Sequence, residues 1–175
     1  MSVILRELES NDAPKMLDWM HDNRINKWYK FPFGEMTLEK AKGFIDSAKE
    51  DEKTKHFAVS DEFGEYIGTI SLKNIDNDNQ CAEMAIVLRY EYHGSGIATE
   101  AAYKLFDIAF NKYLLHKVYL NVLSDNARAI HFYKKIGFVE EGVSKDAVKI
   151  GGIFRDLTWF GILREEYDSH MEFYN

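Results

Sequence analysis

The residues best suited to chemistry form one run of small side chains, His93-Gly94-Ser95-Gly96-Ile97-Ala98-Thr99-Glu100-Ala101. The run closes the apolar segment Ala82-Glu83-Met84-Ala85-Ile86-Val87-Leu88 and opens a stretch in which Ile97, Ala101, Leu105 and Ile108 recur at helical steps. A glycine-rich turn on a helix N-terminus presents unpaired amide N–H groups and the positive end of the helix dipole, and both favour an anion. Glycine lets that anion approach the backbone with no Cβ in the way. The element predicts a phosphate-bearing ligand. The competing reading is an ordinary strand-to-helix turn whose glycines only relieve strain. Other phosphate cradles fit less well. A P-loop needs Gly-Lys-Ser/Thr, and a dinucleotide fingerprint needs a small residue where Thr99 stands. That fingerprint also needs an acidic residue about twenty positions on, where this chain has Lys117 and Val118.

A second constellation follows another apolar strand, Lys117 to Leu123. It reads Ser124-Asp125-Asn126-Ala127-Arg128-Ala129-Ile130-His131-Phe132-Tyr133-Lys134-Lys135-Ile136-Gly137-Phe138. Ser124, Asp125 and Asn126 are all good N-cap types, and Gly137 stands where a helix would stop. Asn126 and Tyr133 fall on one face of the helix between them.

Together these segments resemble the GNAT acetyltransferases, which use acetyl-coenzyme A. The family's phosphate loop reads Gln/Arg-x-x-Gly-x-Gly/Ala, matched here by His93-Gly94-Ser95-Gly96-Ile97-Ala98. Its later motif, Asn-x-x-Ala-x-x-x-Tyr-x-x-x-Gly-Phe, is matched by Asn126, Ala129, Tyr133, Gly137 and Phe138. Ala98-Thr99-Glu100-Ala101 and the pair Gly152 and Asp156 look like the Rim branch, whose members acetylate ribosomal-protein N-termini and diverse small amines. The resemblance spans roughly residues 3 to 165. His93 is the one departure in the loop, and it forfeits a fixed positive charge unless its imidazole is protonated.

The resemblance implies a reaction and its residues. An amine attacks a thioester carbonyl, one group takes its proton, and another protonates the leaving thiolate. Tyr133 matches the family's acid, against the alternative of a tyrosine packed in the core. Asn126 matches the residue that holds the cofactor arm or orients the tyrosine, which is compatible with a plain N-cap. Glu83 sits in an Ala-Glu-Met-Ala-Ile context similar to that of a catalytic glutamate in histone-acetylating relatives. An ordinary carboxylate is a poor base for an amine unless it is desolvated or works through water. The alternative for Glu83 is a strand-end carboxylate facing solvent or paired with lysine. The strand edge at Ile86, Val87 and Leu88 is expected to pair with the pantetheine amides and to offer an N–H to the thioester carbonyl. His93, Gly94, Ser95, Gly96, Ile97, Ala98 and Thr99 complete the expected cofactor set.

Composition is that of a soluble globular chain. The chain has 175 residues, 46% hydrophobic and 29% charged, which gives one domain as the expectation; the resemblance implies that it is a single N-acetyltransferase domain over 1–175. Cys81 is the sole cysteine, so no internal disulfide forms and a reducing, cytoplasmic compartment is expected. The segment from Met1 to Glu7 does not read as a signal peptide, and no apolar run reaches the length of a membrane span. A formal charge of −7 argues against a nucleic-acid or anionic-membrane partner. The expected partner is a small-molecule amine or a peptide N-terminus, with a homodimer left open. The six histidines lack metal-ligand spacing, so no metal is expected. The alternatives kept are an N-terminal protein acetyltransferase and a non-catalytic acyl-CoA sensor.

The positioning elements are legible from periodicity. Val3–Leu8 alternates as a strand, and Asp12–Asp22 reads as a helix with Met16, Leu17, Trp19 and Met20. Thr37 can cap a helix carrying Ala41, Phe44, Ile45 and Ala48. His56–Ser60 and Tyr66–Leu72 read as strands joined by the turn Asp61-Glu62-Phe63-Gly64, and two tail strands run over Phe138–Val148 and Ile153–Leu163. This is an α/β (α+β) order. The expected fold is that of the GNAT family, a mixed, mostly antiparallel central sheet splayed at the cofactor site and flanked by about four helices. Trp19, Phe44 and Trp159 read as core, and Lys49–Lys55 as a solvated turn. The loop aromatics Trp28, Tyr29, Phe31 and Phe33 either close over an acceptor or pack a helix connection. Asp22, Glu35 and Asp156 are the candidate acidic lining for a cationic acceptor, with Arg24, Lys27 and Arg155 as the rival basic lining.

Overall fold

The computed structural model describes residues 2–172; Met1 and residues 173–175 lie outside the described set. The strands are β1 (Ile4–Glu7), β2 (Lys55–Ser60), β3 (Tyr66–Asp76), β4 (Cys81–Leu88), β5 (Lys117–Leu123), β6 (Val139–Ile150) and β7 (Ile153–Leu163). The α-helices among the described residues are α1 (Ala13–Met20), α2 (Asn23–Asn26), α3 (Leu38–Glu50), α4 (Ile97–Asp107), α5 (Ala127–Lys135) and α6 (Arg164–Glu172). The strands form a seven-stranded sheet in the order β1-β2-β3-β4-β5-β7-β6. Pairing is antiparallel at β1–β2, β2–β3, β5–β7 and β6–β7 and parallel at β4–β5, so the sheet is mixed, as expected. The chain groups into two compact units, Met1–Lys73 with Ala85–Leu105 and Asn74–Met84 with Phe106–Asn175.

In the first unit α1 and α3 bury one stripe each, led by Met16, Trp19, Ala41 and Ile45, around Ala58 and Tyr66. Thr37 caps α3 as expected, its hydroxyl accepting from Lys40 N–H at 3.3 Å. Asp12 is buried and is answered by a bidentate Arg6 at 2.7 and 2.8 Å. Trp19 Nε1–H donates to the Tyr66 hydroxyl at 3.1 Å, which shares a 2.7 Å bond with Thr69 Oγ1. Burial pushes the Tyr66 phenol far above its ordinary range, so this network stays neutral. Phe44 is half-buried and meets the His56 ring edge-on at 4.9 Å.

In the second unit β5 and β7 pair over their length, from Lys117↔Leu163 to Leu123↔Leu157. Val118, Leu120, Phe160 and Ile162 are buried while Tyr119 and Trp159 are half-buried, the two-residue alternation of a sheet with unequal faces. Phe106, Phe110, Phe138 and Tyr167 form its aromatic core, with Phe110 and Tyr167 stacked at 5.2 Å. The parallel ladder links Cys81, Ala82 and Glu83 to Lys117, Val118 and Tyr119, the first three residues of each strand.

Several elements differ from expectation. Six α-helices among the described residues stand where about four were expected: α2 is a single turn capped by Asp22, and α6 exposes Glu165, Glu166, Asp168 and Ser169 around the buried Tyr167. Neither carries enough apolar periodicity to be read. The expected helix Asp12–Asp22 is shorter, because Ser10–Asp12 is a 3-10 turn. α4 buries Ile97, Ala101 and Leu105 as expected, but a π-helical turn over Ile108–Lys112 rotates the next residues. Ala109 and Phe110 are buried there, in place of Ile108.

Candidate active site

The glycine loop belongs wholly to the first unit. Along β4, burial alternates through Ala82 and Met84 and then breaks, leaving Ala85, Ile86 and Val87 all partly exposed. Arg89 N–H donates to the Ile67 carbonyl at 2.9 Å, and a 3-10 turn over Tyr90–Tyr92 leads into the loop. His93 Nε2 lies 3.0 Å from the Leu88 carbonyl oxygen. A carbonyl only accepts, so Nε2 carries the proton in this bond. His93 thus braces the loop against the end of β4.

Gly94 and Gly96 both adopt left-handed backbone, at φ +82° and +88°. Nothing lies within 4 Å of where a Cβ would project from either, so the space above them is open to a bulky anion. Three of the six amides from 94 to 99 have partners inside the loop. Ser95 N–H bonds Tyr92 O at 3.4 Å, Ile97 N–H bonds Ser95 Oγ at 3.4 Å, and Thr99 N–H bonds Gly96 O at 3.0 Å. Among the described residues, the amides of Gly94, Gly96 and Ala98 meet no such partner. Alternate amides freed at the start of a helix suit a phosphate-bearing arm such as that of coenzyme A.

Asn126, Tyr133 and Glu83 belong to the second unit. Asn126 is the N-cap of α5, its side-chain oxygen accepting from Ala129 N–H at 3.2 Å. Gly137, at φ +101°, ends the helix where the sequence placed the stop. Tyr133 is 8% exposed, its ring within 6.2 Å of those of Phe132, Phe138 and Phe160. The ring is therefore core, and any chemistry rests with its hydroxyl. Glu83 is half-buried, and its Oε2 accepts from the Asn74 side-chain amide at 2.9 Å. Its rung partner on β5 is Tyr119, whose phenol is pushed up by burial and next by the Glu83 charge.

Candidate acceptor residues occupy both units. In the first, a surface pocket of about 460 Å³ is bounded by Asp18, Asp22, Arg24, Arg89, Tyr90 and Glu91 among others. Asp22 lines it, but its charge is answered locally: Arg24 chelates the carboxylate at 2.5–3.1 Å, holding it below the ordinary carboxylate range. The Arg24 guanidinium also lies 3.7 Å over the Tyr90 ring. Arg89 pairs with Glu91 at 2.8 Å and Asp18 at 3.4 Å. Glu35 is exposed, and Lys27 lies 5.0 Å over the Trp28 ring. In the second unit, Asp156 accepts from Asp146 N–H at 2.8 Å, and Arg155 pairs with Asp125. Of the loop aromatics, Tyr29 and Phe33 pack on Trp19, while Phe31 stays 55% exposed against Phe33. The Tyr29 hydroxyl reaches toward the Ile86 carbonyl at 3.5 Å.

Sequence reasoning missed Asn74 and Gly68. Gly68 sits in β3, where a Cβ would stand 2.8 Å from Leu88 Cα. A glycine inside a strand is itself a signal of close backbone approach. Among the described residues no group of three or more His, Cys, Asp or Glu is placed to hold a metal ion, and no helix is long and apolar enough to cross a membrane.

The family profile described as Acetyltransferase (GNAT) domain matches residues 2–139. A spermidine N(1)-acetyltransferase of Escherichia coli (strain K12) is 33% identical, over 95% of this chain and 88% of its own. One of Vibrio cholerae is 29% identical over 96% of each. A crystal structure of the Vibrio cholerae spermidine N-acetyltransferase, in complex with CoA and spermine, superposes with a TM-score of 0.86 at 28% identity, covering 95% of this chain and 98% of that one.

Proposed function

Because this chain belongs to the GNAT acetyltransferase family and is an acetyl-CoA-dependent N-acetyltransferase, we propose that its acceptor is a small polyamine-like amine and that it falls in the Rim branch. The observation that carries the cofactor reading is the pair of left-handed glycines, 94 and 96, with alternate amides free at the start of α4. The acceptor reading is supported by relatives named for spermidine.

In this mechanism the pyrophosphate rests on the amides of Gly94, Gly96 and Ala98. Ile86, Val87 and Leu88 offer their backbone edge to the pantetheine. The amine nitrogen attacks the thioester carbon, with Glu83 taking the ammonium proton through water. An N–H of the β4 edge receives the developing oxyanion. The C–S bond breaks, and Tyr133 gives its phenolic proton to the thiolate. Asn126 holds the start of α5, which carries Tyr133. Residues 1–175 act as one domain in the cytoplasm, and sedimentation decides whether that domain is a homodimer.

Thiol release from acetyl-CoA tests the reading with spermidine, small diamines, an N-terminal peptide and an amino-sugar nucleotide as acceptors. Spermidine and the diamines should turn over fastest. A preference for the peptide would move the acceptor to a protein N-terminus, and a preference for the amino-sugar nucleotide would overturn the charge argument. No thiol release with any acceptor, with acetyl-CoA still bound, would make the protein a sensor.

A further inference from the structure

We infer that Asn74 is the positioning residue for Glu83, holding that carboxylate in the orientation from which it accepts the proton of the incoming amine. The inference rests on the role proposed for Glu83. Asn74 stands at φ +52° inside β3, a backbone conformation uncommon for residues with a side chain and tolerated best by asparagine and aspartate. Its side-chain amide donates to Glu83 Oε2, nine positions along the chain, at 2.9 Å. Left-handed backbone in the interior of a strand breaks the alternation of faces, and such outliers persist where surrounding structure holds them for a purpose. Here the visible result is a neutral donor on one carboxylate oxygen.

The choice of partner matters chemically. A carboxamide donates to the carboxylate without adding a charge of its own. Tyr119, on the facing rung of β5, feels the charges of Glu83, Cys81 and Asp76, and Cys81, on the same strand as Glu83, feels those of Asp76 and Lys117. Tyr119 and Cys81 are both raised above their ordinary values, first by burial, and so remain neutral near pH 7. Asn74 is exposed, so its replacement removes little packing.

The test uses Asn74→Gly, Asn74→Asp, Glu83→Gln and the double variant Asn74→Gly/Glu83→Gln in the full chain, with acetyl-CoA and spermidine as probes and thermal melting as the folding control. Glycine adopts φ +52° freely, so Asn74→Gly keeps the backbone and deletes only the donor. It should lower kcat about tenfold or more and leave the KM for acetyl-CoA unchanged. Asn74→Asp keeps the backbone tolerance but sets a second carboxylate against Glu83. Two such groups share a proton, so the acidic limb of the kcat/KM profile should move up by about one pH unit or more. In the Glu83→Gln background Asn74→Gly should add almost nothing, because there is no base left to orient. A Glu83→Gln variant with wild-type kcat would overturn the base assignment itself. An impaired Glu83→Gln beside a wild-type Asn74→Gly, an unmoved pH limb in Asn74→Asp, or strictly additive losses in the double variant would each overturn the positioning role alone.

Discussion

Replacing Gly68 by alanine should disturb both the stability and the cofactor edge of the protein. A Cβ at position 68 would stand 2.8 Å from Leu88 Cα and 2.7 Å from Leu88 Cδ2, and closer still to the Val87 carbonyl oxygen. Carbon atoms in contact sit about 3.5–4.0 Å apart, so the Leu88 backbone must retreat by roughly 0.7–1.2 Å. It is not free to do so. Arg89 N–H is bonded to Ile67 O at 2.9 Å, and the Leu88 carbonyl is held by His93 at 3.0 Å. Overpacking typically costs about 1–3 kcal/mol, and a clash with backbone rather than a flexible side chain belongs at the upper end, about 3 kcal/mol. For a chain of this size that is a fall in Tm of about 6–12 °C. Since Val87 and Leu88 are the proposed pantetheine edge, turnover should also drop by about tenfold or more. Gly43→Ala is the matched control. Gly43 lies exposed in α3 with nothing within 4 Å of its would-be Cβ, so alanine there should stabilise by about 0.5–1 kcal/mol. The assay is differential scanning calorimetry on both variants, with acetyl-CoA titrated calorimetrically. A Gly68→Ala protein that melts within about 2 °C of wild type, with wild-type acetyl-CoA affinity and turnover, would refute the reasoning.

Three further outcomes follow from the same geometry. Gly96→Asp sets a strained left-handed aspartate and its charge where the pyrophosphate is proposed to sit, so coenzyme A binding should nearly vanish; unchanged calorimetric affinity in the folded variant would remove the loop from the site. Tyr133→Phe keeps the ring packed on Phe138 and Phe160, and kcat should fall about a hundredfold; a kcat within about twofold of wild type means Tyr133 is not the acid. His56 is held below its ordinary 6.5 by burial, with Asp51 opposing and Lys73 adding to the shift, so the folded state favours the neutral ring. Stability is then full above pH 6.5 and is lost as pH falls through that value towards the lowered folded pKa, and denaturant melts of His56→Gln should show a shallower decline than wild type over that window.

Much of the fold was legible because apolar spacing and caps are local. Thr37 and Asn126 cap as their types predict, and the glycines at 94, 96 and 137 take the positive φ that only glycine adopts easily. What escaped is what depends on distant partners. Among its described side chains α6 buries Tyr167, and it finds its place through Phe106, Phe110 and the bond from Arg164 N–H to His116 O. The π turn at Ile108 changes which residues face inward without leaving any mark in composition. Asn74 lies beyond the expected strand Tyr66–Leu72, and only the folded chain brings its amide to Glu83.

The same distinction governs the argument from charge. A formal net charge of −7 counts every carboxylate equally, but a ligand feels only those whose field is unanswered. Asp22 is chelated by Arg24, and Asp156 accepts from a backbone amide. Of the three acidic lining candidates, Glu35 alone is both exposed and without an ion pair among the described residues. A cationic acceptor should therefore depend on Glu35 more than on Asp22. Glu35→Gln should raise the KM for spermidine several-fold at low salt, with the difference shrinking as ionic strength grows and the Debye length falls below about 10 Å. Asp22→Asn loosens the Arg24 chelate and the α2 cap instead, so its effect should appear in Tm. The reverse pattern, with Asp22→Asn raising KM in a salt-dependent way and Glu35→Gln silent, would place the acceptor's positive charge in the pocket beside Arg89 rather than at the loop.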